Sequence, residues 1–125
     1  MTEYLDLDDL LAAAEAAVGG PPAVRDIGLL DAAAARPRSS VFGADAYPDL
    51  DMKAAALLHS IVTSHPLVDG NKRLAWLATY VFCAKNGVEL DPDDDAANDL
   101  VIAVASGSLD EVEEIARILG SFVVE

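Results

Sequence analysis

The sequence predicts an all-α protein of about six helices. Alanine, the strongest helix former, is concentrated in runs such as residues 12–14, 32–35 and 54–56. Segments with apolar side chains at helical spacing alternate with glycine and proline breakers. Hydrophobic residues make up 53% of the 125 residues, and a chain of this length can bury a core without a disulfide or a metal. We therefore expect one domain over residues 1–125.

The first helix is predicted at Leu7–Val18. Asp6 is a candidate N-cap, and Asp9 follows it three residues later, as expected of a helix start. The run Gly-Gly-Pro-Pro at residues 19–22 ends the helix, because glycine frees the backbone and proline lacks a helical donor.

The second helix is predicted at Ile27–Ala35 and ends at the Arg-Pro pair of residues 36–37. Residues 39–50 are predicted to form a loop, since Gly43 and Pro48 interrupt any regular pattern.

Two central helices follow. The third is predicted at Met52–Ser64, with apolar residues on one face, and it ends before Pro66. The fourth is predicted at Asn71–Asn86 and is apolar on nearly every side. A helix of that kind is buried at the centre of a protein.

The last two helices are predicted from their start signals. The fifth begins in the acidic cluster of residues 93–95, where negative charge suits a helix N-terminus, and it ends near residues 106–107. The sixth opens with the sequence Ser-Leu-Asp-Glu at residues 108–111, which matches a capping box. Nothing in the sequence decides whether residues 121–125 form a strand or extend this helix.

Charge and targeting signals exclude several classes of protein. The net charge of −14 argues against a direct nucleic-acid partner, whose binding requires neutralised phosphates. It suits a basic partner or simply a solubilising surface. The acidic N-terminus lacks the basic and apolar regions of a signal peptide, and no apolar run approaches the ~20 residues of a membrane span. We expect a cytoplasmic protein without membrane contact, in which Cys83, the one cysteine, is a buried apolar residue.

The sequence HPLVDGNKR at residues 65–73 carries the candidate chemistry. It links two predicted helices and places Gly70, Asn71, Lys72 and Arg73 at the N-terminus of the buried fourth helix. Unpaired N–H groups and a partial positive charge make such a terminus an anion site, and the two cations match a phosphate.

Two further side chains complete this candidate site. Asp69 immediately precedes the anion site and can hold Mg²⁺ together with phosphate oxygens. His65 has an ordinary imidazole and can accept a proton from a hydroxyl. The same residues also suit an ordinary turn followed by solvated cations, so the motif by itself leaves a structural role open.

The segment HPLVDGNKR resembles the core motif of the Fic/Doc superfamily, which in the Doc branch is H-x-F-x-D-(G/A)-N-K-R. Fic enzymes usually have glycine at the position of Lys72 and a second arginine at the position of Trp76, so the segment is most similar to the Doc (death-on-curing) branch. The stretches YLDLDDLL, GGPPAVRDIGLLDAAAARPR and YPDLDMKAAALLHSIV extend this resemblance over nearly the whole chain.

The resemblance implies a Fic fold with the motif loop between two central helices. It also implies a toxin of a bacterial Phd/Doc-type toxin–antitoxin module. Such a toxin transfers the γ-phosphate of ATP, with Mg²⁺, to a threonine of elongation factor Tu and arrests translation. A Phd-like antitoxin would bind in a groove through its C-terminal helix. AMP transfer to a protein hydroxyl is the alternative reaction.

The resemblance also assigns roles to residues. His65 would be the catalytic base, Asp69 would hold Mg²⁺, and the ATP phosphates would be bound by Gly70, Asn71, Lys72 and Arg73. Two departures favour a further alternative, a catalytically impaired Fic-fold binding module. Leu67 replaces the usual phenylalanine and predicts a looser loop, and Ala14 stands where Doc-like chains often have histidine.

A few other side chains have open interpretations. His59 is expected to pack within the helices. The arginines at positions 25, 36 and 38 are expected to bind the C-terminal carbonyl groups of helices, although they also suit the edge of a nucleotide site. Trp76 and Tyr80, four residues apart on the fourth helix, are expected to lie in the core.

Overall fold

The computed structural model describes residues 1–125 and confirms the all-α prediction. The helices are α1 (Leu7–Val18), α2 (Ile27–Ala35), α3 (Leu50–Ser64), α4 (Asn71–Lys85), α5 (Asp94–Ala105) and α6 (Val112–Ser121). A 3₁₀ turn, Arg36–Arg38, and a small antiparallel hairpin, β1 (Ser40–Val41) and β2 (Ala44–Asp45), lie between α2 and α3. No helix is both long enough and apolar enough to cross a membrane.

Helices α3 and α4 form the centre of the fold. They pack against each other, α3 also contacts α2, α5 and α6, and α4 also contacts α1 and α5. Their facing sides are buried and belong to one continuous hydrophobic cluster that draws on all six helices. The loop between them carries the segment HPLVDGNKR, as the resemblance implies. The motif is thus attached at both ends to the most deeply packed part of the molecule.

The boundaries of α1 and α2 agree with the sequence prediction. Asp6 and Asp9 form a capping box at the start of α1, and Gly19 ends it in a left-handed conformation. The side chain of Asp26 caps α2. Helix α3 begins two residues earlier than predicted, at Leu50, and α4 ends one residue earlier, at Lys85.

The predicted start of α6 is wrong. The helix begins at Val112 with Glu111 as its N-cap, and no side chain caps it. The Ser108 hydroxyl instead donates to the carbonyl oxygen of Ala103 (3.1 Å) and contacts the Ser106 hydroxyl (3.1 Å). The carbonyl groups at the end of α5 lack helical partners, and one of them accepts a hydrogen bond from this hydroxyl. The Ser108 side chain therefore does not cap α6.

The predicted loop at residues 39–50 contains the small hairpin. Lys53 on α3 is almost fully buried and forms a salt bridge with Asp45 (3.1 Å), and its amine also donates to the Tyr47 carbonyl. The hairpin is therefore tied to the central helix, while Phe42 at its tip is fully exposed.

The C-terminal residues and Cys83 complete the core. Val123 pairs with Leu90 in an isolated antiparallel bridge, so the chain continues after α6 as an extended segment. Cys83 is buried on α4, as predicted, and burial raises the pKa of its thiol to about 12, with a further contribution from the charge of Asp51. Tyr80 corrects the core prediction, because it is exposed on the outer side of α4.

Candidate active site

The loop between α3 and α4 borders a cleft of about 220 Å³. All six residues singled out by the sequence line this cleft: His65, Asp69, Gly70, Asn71, Lys72 and Arg73. Val62 on α3 and Ala105 on α5 close its sides. The residues come together because the motif is short and each of its ends is fixed by a central helix.

His65 ends α3 in a left-handed backbone conformation, with φ of +53° and ψ of +61°. Its N–H still donates to the carbonyl of Ile61 (3.3 Å). The side chain is exposed to the cleft, and neither ring nitrogen makes a hydrogen bond within the chain. The imidazole is therefore free to accept a proton from a bound group.

The loop between α1 and α2 supports the backbone of the motif. The N–H groups of Arg25 and Asp26 donate to the Pro66 carbonyl (2.8 and 3.1 Å), and the Val68 N–H donates to the Ala23 carbonyl (2.9 Å). Val24 and Leu67 pair as an isolated antiparallel bridge. The motif loop is thus held on its outer side by backbone hydrogen bonds that do not depend on side-chain identity.

Leu67 fills its site despite being smaller than the family phenylalanine. It is 1% exposed, and its backbone N–H and carbonyl both bind the side-chain amide of Asn71, at 2.9 Å each. The looser loop expected from leucine is not observed. The Asn71 amide is occupied by this contact, so it shapes the loop around the cleft and does not point freely into it.

Helix α4 begins without a side-chain cap. Its N-cap is Gly70, and the first helical N–H to find a backbone acceptor is that of Leu74, which donates to the Gly70 carbonyl (2.9 Å). The N–H groups of the three preceding residues, 71–73, have no partner in the chain. By contrast, aspartate side chains cap α1, α2 and α5. The α4 terminus therefore keeps its donors available for an external anion.

The cations of the cleft are only weakly neutralised. Lys72 forms no salt bridge, although the chain has 22 acidic residues, and Arg73 reaches only Asp69, at 4.0 Å. The Arg73 side chain is 60% exposed and the Asp69 side chain 92% exposed. An exposed ion pair at this distance contributes little to stability. Both cations can therefore turn toward a phosphate without losing a strong contact.

A second cleft of about 260 Å³ adjoins the first and shares Lys72 and Arg73 with it. It lies between the start of α4 and α5, and its other polar or aromatic linings are Trp76, Asp94 and Asn98. Trp76 is half-buried and contacts Phe122 edge to face, with ring centroids 6.2 Å apart. The two cations therefore stand between a cleft that holds the candidate base and a cleft with an indole and an amide.

The Asp69 carboxylate is suited to a metal ion that is bound together with phosphate. No cluster of three or more His, Cys, Asp or Glu residues in the chain can hold a metal ion. Mg²⁺, however, needs only one or two carboxylates when phosphate oxygens and waters complete its octahedron. The exposed carboxylate of Asp69 at the edge of the cleft fits that requirement.

The remaining candidate residues have structural contacts. His59 is partly buried between Arg36 (2.8 Å) and Asp110 (2.8 Å), in agreement with a packing role. Arg25 does bind carbonyl groups at the end of a helix, those of Ser64 and His65. Arg36 and Arg38 do not: Arg36 binds side chains and a mid-helix carbonyl, and Arg38 lies over the ring of Tyr4.

The sequence does not reveal how two residues outside the motif, Val18 and Arg25, reach the site. Val18 at the end of α1 lies directly beneath Gly70, where an added Cβ would come within 2.7 Å of its Cγ1 atom. The Arg25 side chain holds the carbonyl of His65 from 40 positions earlier in the chain. Both contacts depend on how α1 and α2 fold back onto the motif, which no local pattern reveals.

Comparison with known proteins agrees with this geometry. The family described as Fic/DOC matches residues 4–83, a range that includes helices α1 to α3, most of α4 and the whole motif. The chain therefore belongs to the Fic/DOC family. It is 54% identical over 124 residues to the protein named Toxin Doc of Mycolicibacterium smegmatis (strain ATCC 700084 / mc(2)155), a match that covers 98% of this chain and 95% of that relative.

Proposed function

We propose that this chain is a Doc-type toxin of a bacterial toxin–antitoxin module and that it transfers the γ-phosphate of ATP to a protein hydroxyl. The acceptor would be a threonine of elongation factor Tu, so that the reaction arrests translation. The 54% identity to the relative named Toxin Doc, over nearly the full length of both chains, supports the class of toxin. We further propose that residues 1–125 act as one domain in the cytoplasm.

One observation carries the enzymatic part of the proposal. A free imidazole, His65, shares a cleft with an uncapped helix terminus whose three N–H donors and two cations have no strong partners in the chain. Phosphoryl transfer to a hydroxyl needs a base beside hydrogen-bond donors and cations that are free to bind phosphate.

The proposed reaction uses these groups in defined roles. Gly70 and the α4 N–H groups bind the phosphates, and Lys72 and Arg73 stabilise their charge. Bound Mg²⁺, held by Asp69, would neutralise charge on the phosphate oxygens. His65 accepts the hydroxyl proton while the acceptor oxygen bonds to the γ-phosphorus. The bond from that phosphorus to the bridging oxygen breaks, and ADP leaves with the electron pair.

AMP transfer is the alternative reaction at the same cleft. The indole of Trp76 stands where Fic enzymes usually have a second arginine, so it provides no charge for a terminal phosphate. The second cleft, of about 260 Å³, is the proposed place of the nucleoside, with the γ-phosphate facing His65. The missing second arginine is the feature that favours phosphoryl transfer.

The experiment that tests the proposal combines growth and labelling. The chain, His65→Ala and the control His59→Gln are expressed in bacteria from a tight promoter. We expect growth arrest by the parent and His59→Gln, and none by His65→Ala. Purified proteins are then incubated with elongation factor Tu and either γ-labelled or α-labelled ATP.

The labels separate the candidate functions. Transfer from γ-labelled ATP only, reduced about 10²-fold or more in His65→Ala, supports the kinase. Transfer from α-labelled ATP would establish AMP transfer instead. Growth arrest by His65→Ala, with neither label transferred, would leave a Fic-fold binding module as the function.

The proposed antitoxin is a Phd-like protein whose C-terminal helix lies in a groove of the toxin. An amphipathic helix in a groove is a common recognition mode and suits a chain whose helices carry many small residues. Co-expression of such an antitoxin should restore growth. Its failure to do so, with a stable complex absent, would separate this chain from the Phd/Doc type.

A further inference from the structure

Arg25 forms side-chain hydrogen bonds with the backbone at the proposed catalytic base, His65. Its Nε atom donates to the carbonyl oxygen of His65 and its Nη2 atom donates to that of Ser64, each at 2.7 Å. The guanidinium group thus bridges two consecutive carbonyls at the point where α3 ends. Such charge-assisted bonds are stronger than neutral ones. No other side chain forms a hydrogen bond with His65.

The backbone of His65 needs a restraint of this kind. A left-handed conformation is unfavourable for a residue with a Cβ atom, because the Cβ lies too close to the carbonyl oxygen. The one other non-glycine residue with positive φ is Phe42, at the fully exposed tip of the hairpin. Because the His65 ring makes no hydrogen bond, its direction depends on the backbone from which it projects.

Arg25 has no competing role in the structure. It forms no salt bridge, and the neighbouring carboxylate of Asp26 is used to cap α2 by accepting from the N–H of Leu29 (3.2 Å). The backbone of Arg25 also binds the loop, since its N–H donates to the Pro66 carbonyl at 2.8 Å. Arg25 therefore binds three consecutive carbonyl groups, those of Ser64, His65 and Pro66.

We infer that Arg25 is a positioning residue for His65. Its guanidinium fixes the left-handed turn at the end of α3 and thereby directs the imidazole into the cleft. The inference rests on the proposed function in that it takes His65 as the base. It concerns a residue outside the family motif, supplied by the loop between α1 and α2.

The kinetic test compares Arg25→Ala and Arg25→Lys with the parent, and uses Arg117→Ala as the control. Arg117 is an exposed arginine on α6 that pairs only with Glu114. We expect Arg25→Ala to lower kcat for phosphotransfer by about 10- to 100-fold, since small displacements of a catalytic group have effects of this size. The KM for ATP should change by less than about 2-fold, because the α4 donors and cations are retained.

Chemical rescue tests whether the loss of kcat comes from the missing guanidinium group itself. Added guanidinium ion, at a concentration well below that which denatures the protein, should restore part of kcat in Arg25→Ala. It should not act on His65→Ala or Arg117→Ala. Arg25→Lys should retain intermediate activity, because an amine can bind one of the two carbonyls but lacks the planar fork of a guanidinium.

A measurement without substrate separates this inference from the proposed function. The chain has two histidines, so the imidazole Hε1 signals of His65 and His59 can be assigned by comparison with the His65→Ala variant. We expect one sharp His65 signal in the parent, and a broadened or divided one in Arg25→Ala while the His59 signal is unchanged.

Two outcomes would overturn the inference. One is an unchanged His65 signal in a folded Arg25→Ala variant, which decides the matter even if the parent transfers no phosphate. The other is a loss of kcat that guanidinium does not restore and that follows only a lowered melting temperature. Either would make Arg25 a helix cap and nothing more.

Discussion

At Gly70 the backbone has φ of +89°, and an added Cβ would lie 2.7 Å from Cγ1 of Val18. The glycine is therefore required for two separate reasons, its left-handed backbone and the close approach of α1 beneath the anion site. The second reason is specific to this chain, because it depends on the size of the side chain at position 18.

We predict that Gly70→Ala lowers the free energy of unfolding by more than Gly87→Ala does. Gly87 has a similar φ of +79° but nothing within 4 Å of the added Cβ, so it measures the backbone cost alone, about 1 kcal/mol. The clash at Gly70 should add roughly 1–3 kcal/mol. Urea denaturation of both variants gives the difference.

A third variant assigns the extra loss to Val18. Adding Val18→Ala to Gly70→Ala should recover part of the stability, because it removes the atom that the new Cβ meets. Equal losses for Gly70→Ala and Gly87→Ala would mean that α1 moves away freely and does not constrain the site.

Asp51, near the start of α3, makes a pH-dependent contribution to the stability of the fold. Burial, together with the neighbouring charge of Asp49, raises the pKa of the Asp51 carboxyl above its ordinary value of 3.8. The folded protein therefore holds this proton more tightly than the unfolded chain. Stability should fall as the pH rises from about 3.8 through the raised pKa, and the deficit persists at neutral pH.

We predict that Asp51→Asn raises the melting temperature at pH 7 and has little effect near pH 3. The control is Asp99→Asn, which also removes one negative charge but from an exposed position on α5. Melting temperatures measured across this pH range decide the point. An equal gain from both variants at pH 7 would show that only the net charge matters and not the burial of Asp51.

At the scale of elements, a helix boundary could be predicted where the interactions that determine it lie within a few residues of it. The start of α1 at the Asp6–Asp9 capping box and its end at Gly19 are determined within a few residues, and both were predictable. The start of α6 was not, because the hydroxyl of Ser108 binds the end of α5. The hairpin was missed because its strands have two residues each and depend on Lys53.

The candidate site shows the same division. The motif residues from His65 to Arg73 could be identified from their spacing, and the structure brings them to one cleft. The binding of Arg25 to carbonyl groups at a helix end was also predicted, but the helix it reaches, and the contact of Val18 with Gly70, depend on tertiary packing. The exposure of Tyr80 was also hidden, because an aromatic residue on an apolar helix looks the same in sequence whether or not a neighbour covers it.

Helix α4 has cations at both ends, which allows a matched test of the anion site. We predict that Lys72→Ala and Arg73→Ala each raise the dissociation constant of ATP by about 10-fold or more, since a charge-assisted bond to phosphate is worth roughly 1.5–3 kcal/mol. Lys85→Ala, at the opposite end, should not, because Lys85 pairs with Asp9 outside the cleft.

The measurement is ATP binding by titration calorimetry, with melting temperatures to confirm folding. A similar change in all three variants would show that the protein attracts ATP through its overall charge. No change in Lys72→Ala and Arg73→Ala would contradict the phosphate role proposed for these side chains.

At the scale of the whole molecule, two electrostatic effects oppose each other. A net charge of −14 makes the folded chain repel itself and repel any anion that approaches it. The cleft reverses the sign locally, because Lys72 forms no salt bridge and the α4 terminus adds its free N–H donors. The proposed binding of ATP would thus depend on a small group of cations within a negatively charged surface.

We predict that salt acts on folding and on ATP binding in opposite directions. Between about 0.01 M and about 1 M NaCl the screening length falls from roughly 30 Å to roughly 3 Å. The melting temperature should rise as self-repulsion is screened, whereas the dissociation constant of ATP should increase as its contacts with Lys72 and Arg73 weaken. Arg73→Ala should show the same rise in melting temperature and a smaller salt effect on ATP. If the melting temperature falls with salt, local pairs such as Lys53–Asp45 outweigh the repulsion; if ATP binding tightens with salt, long-range repulsion outweighs the cleft.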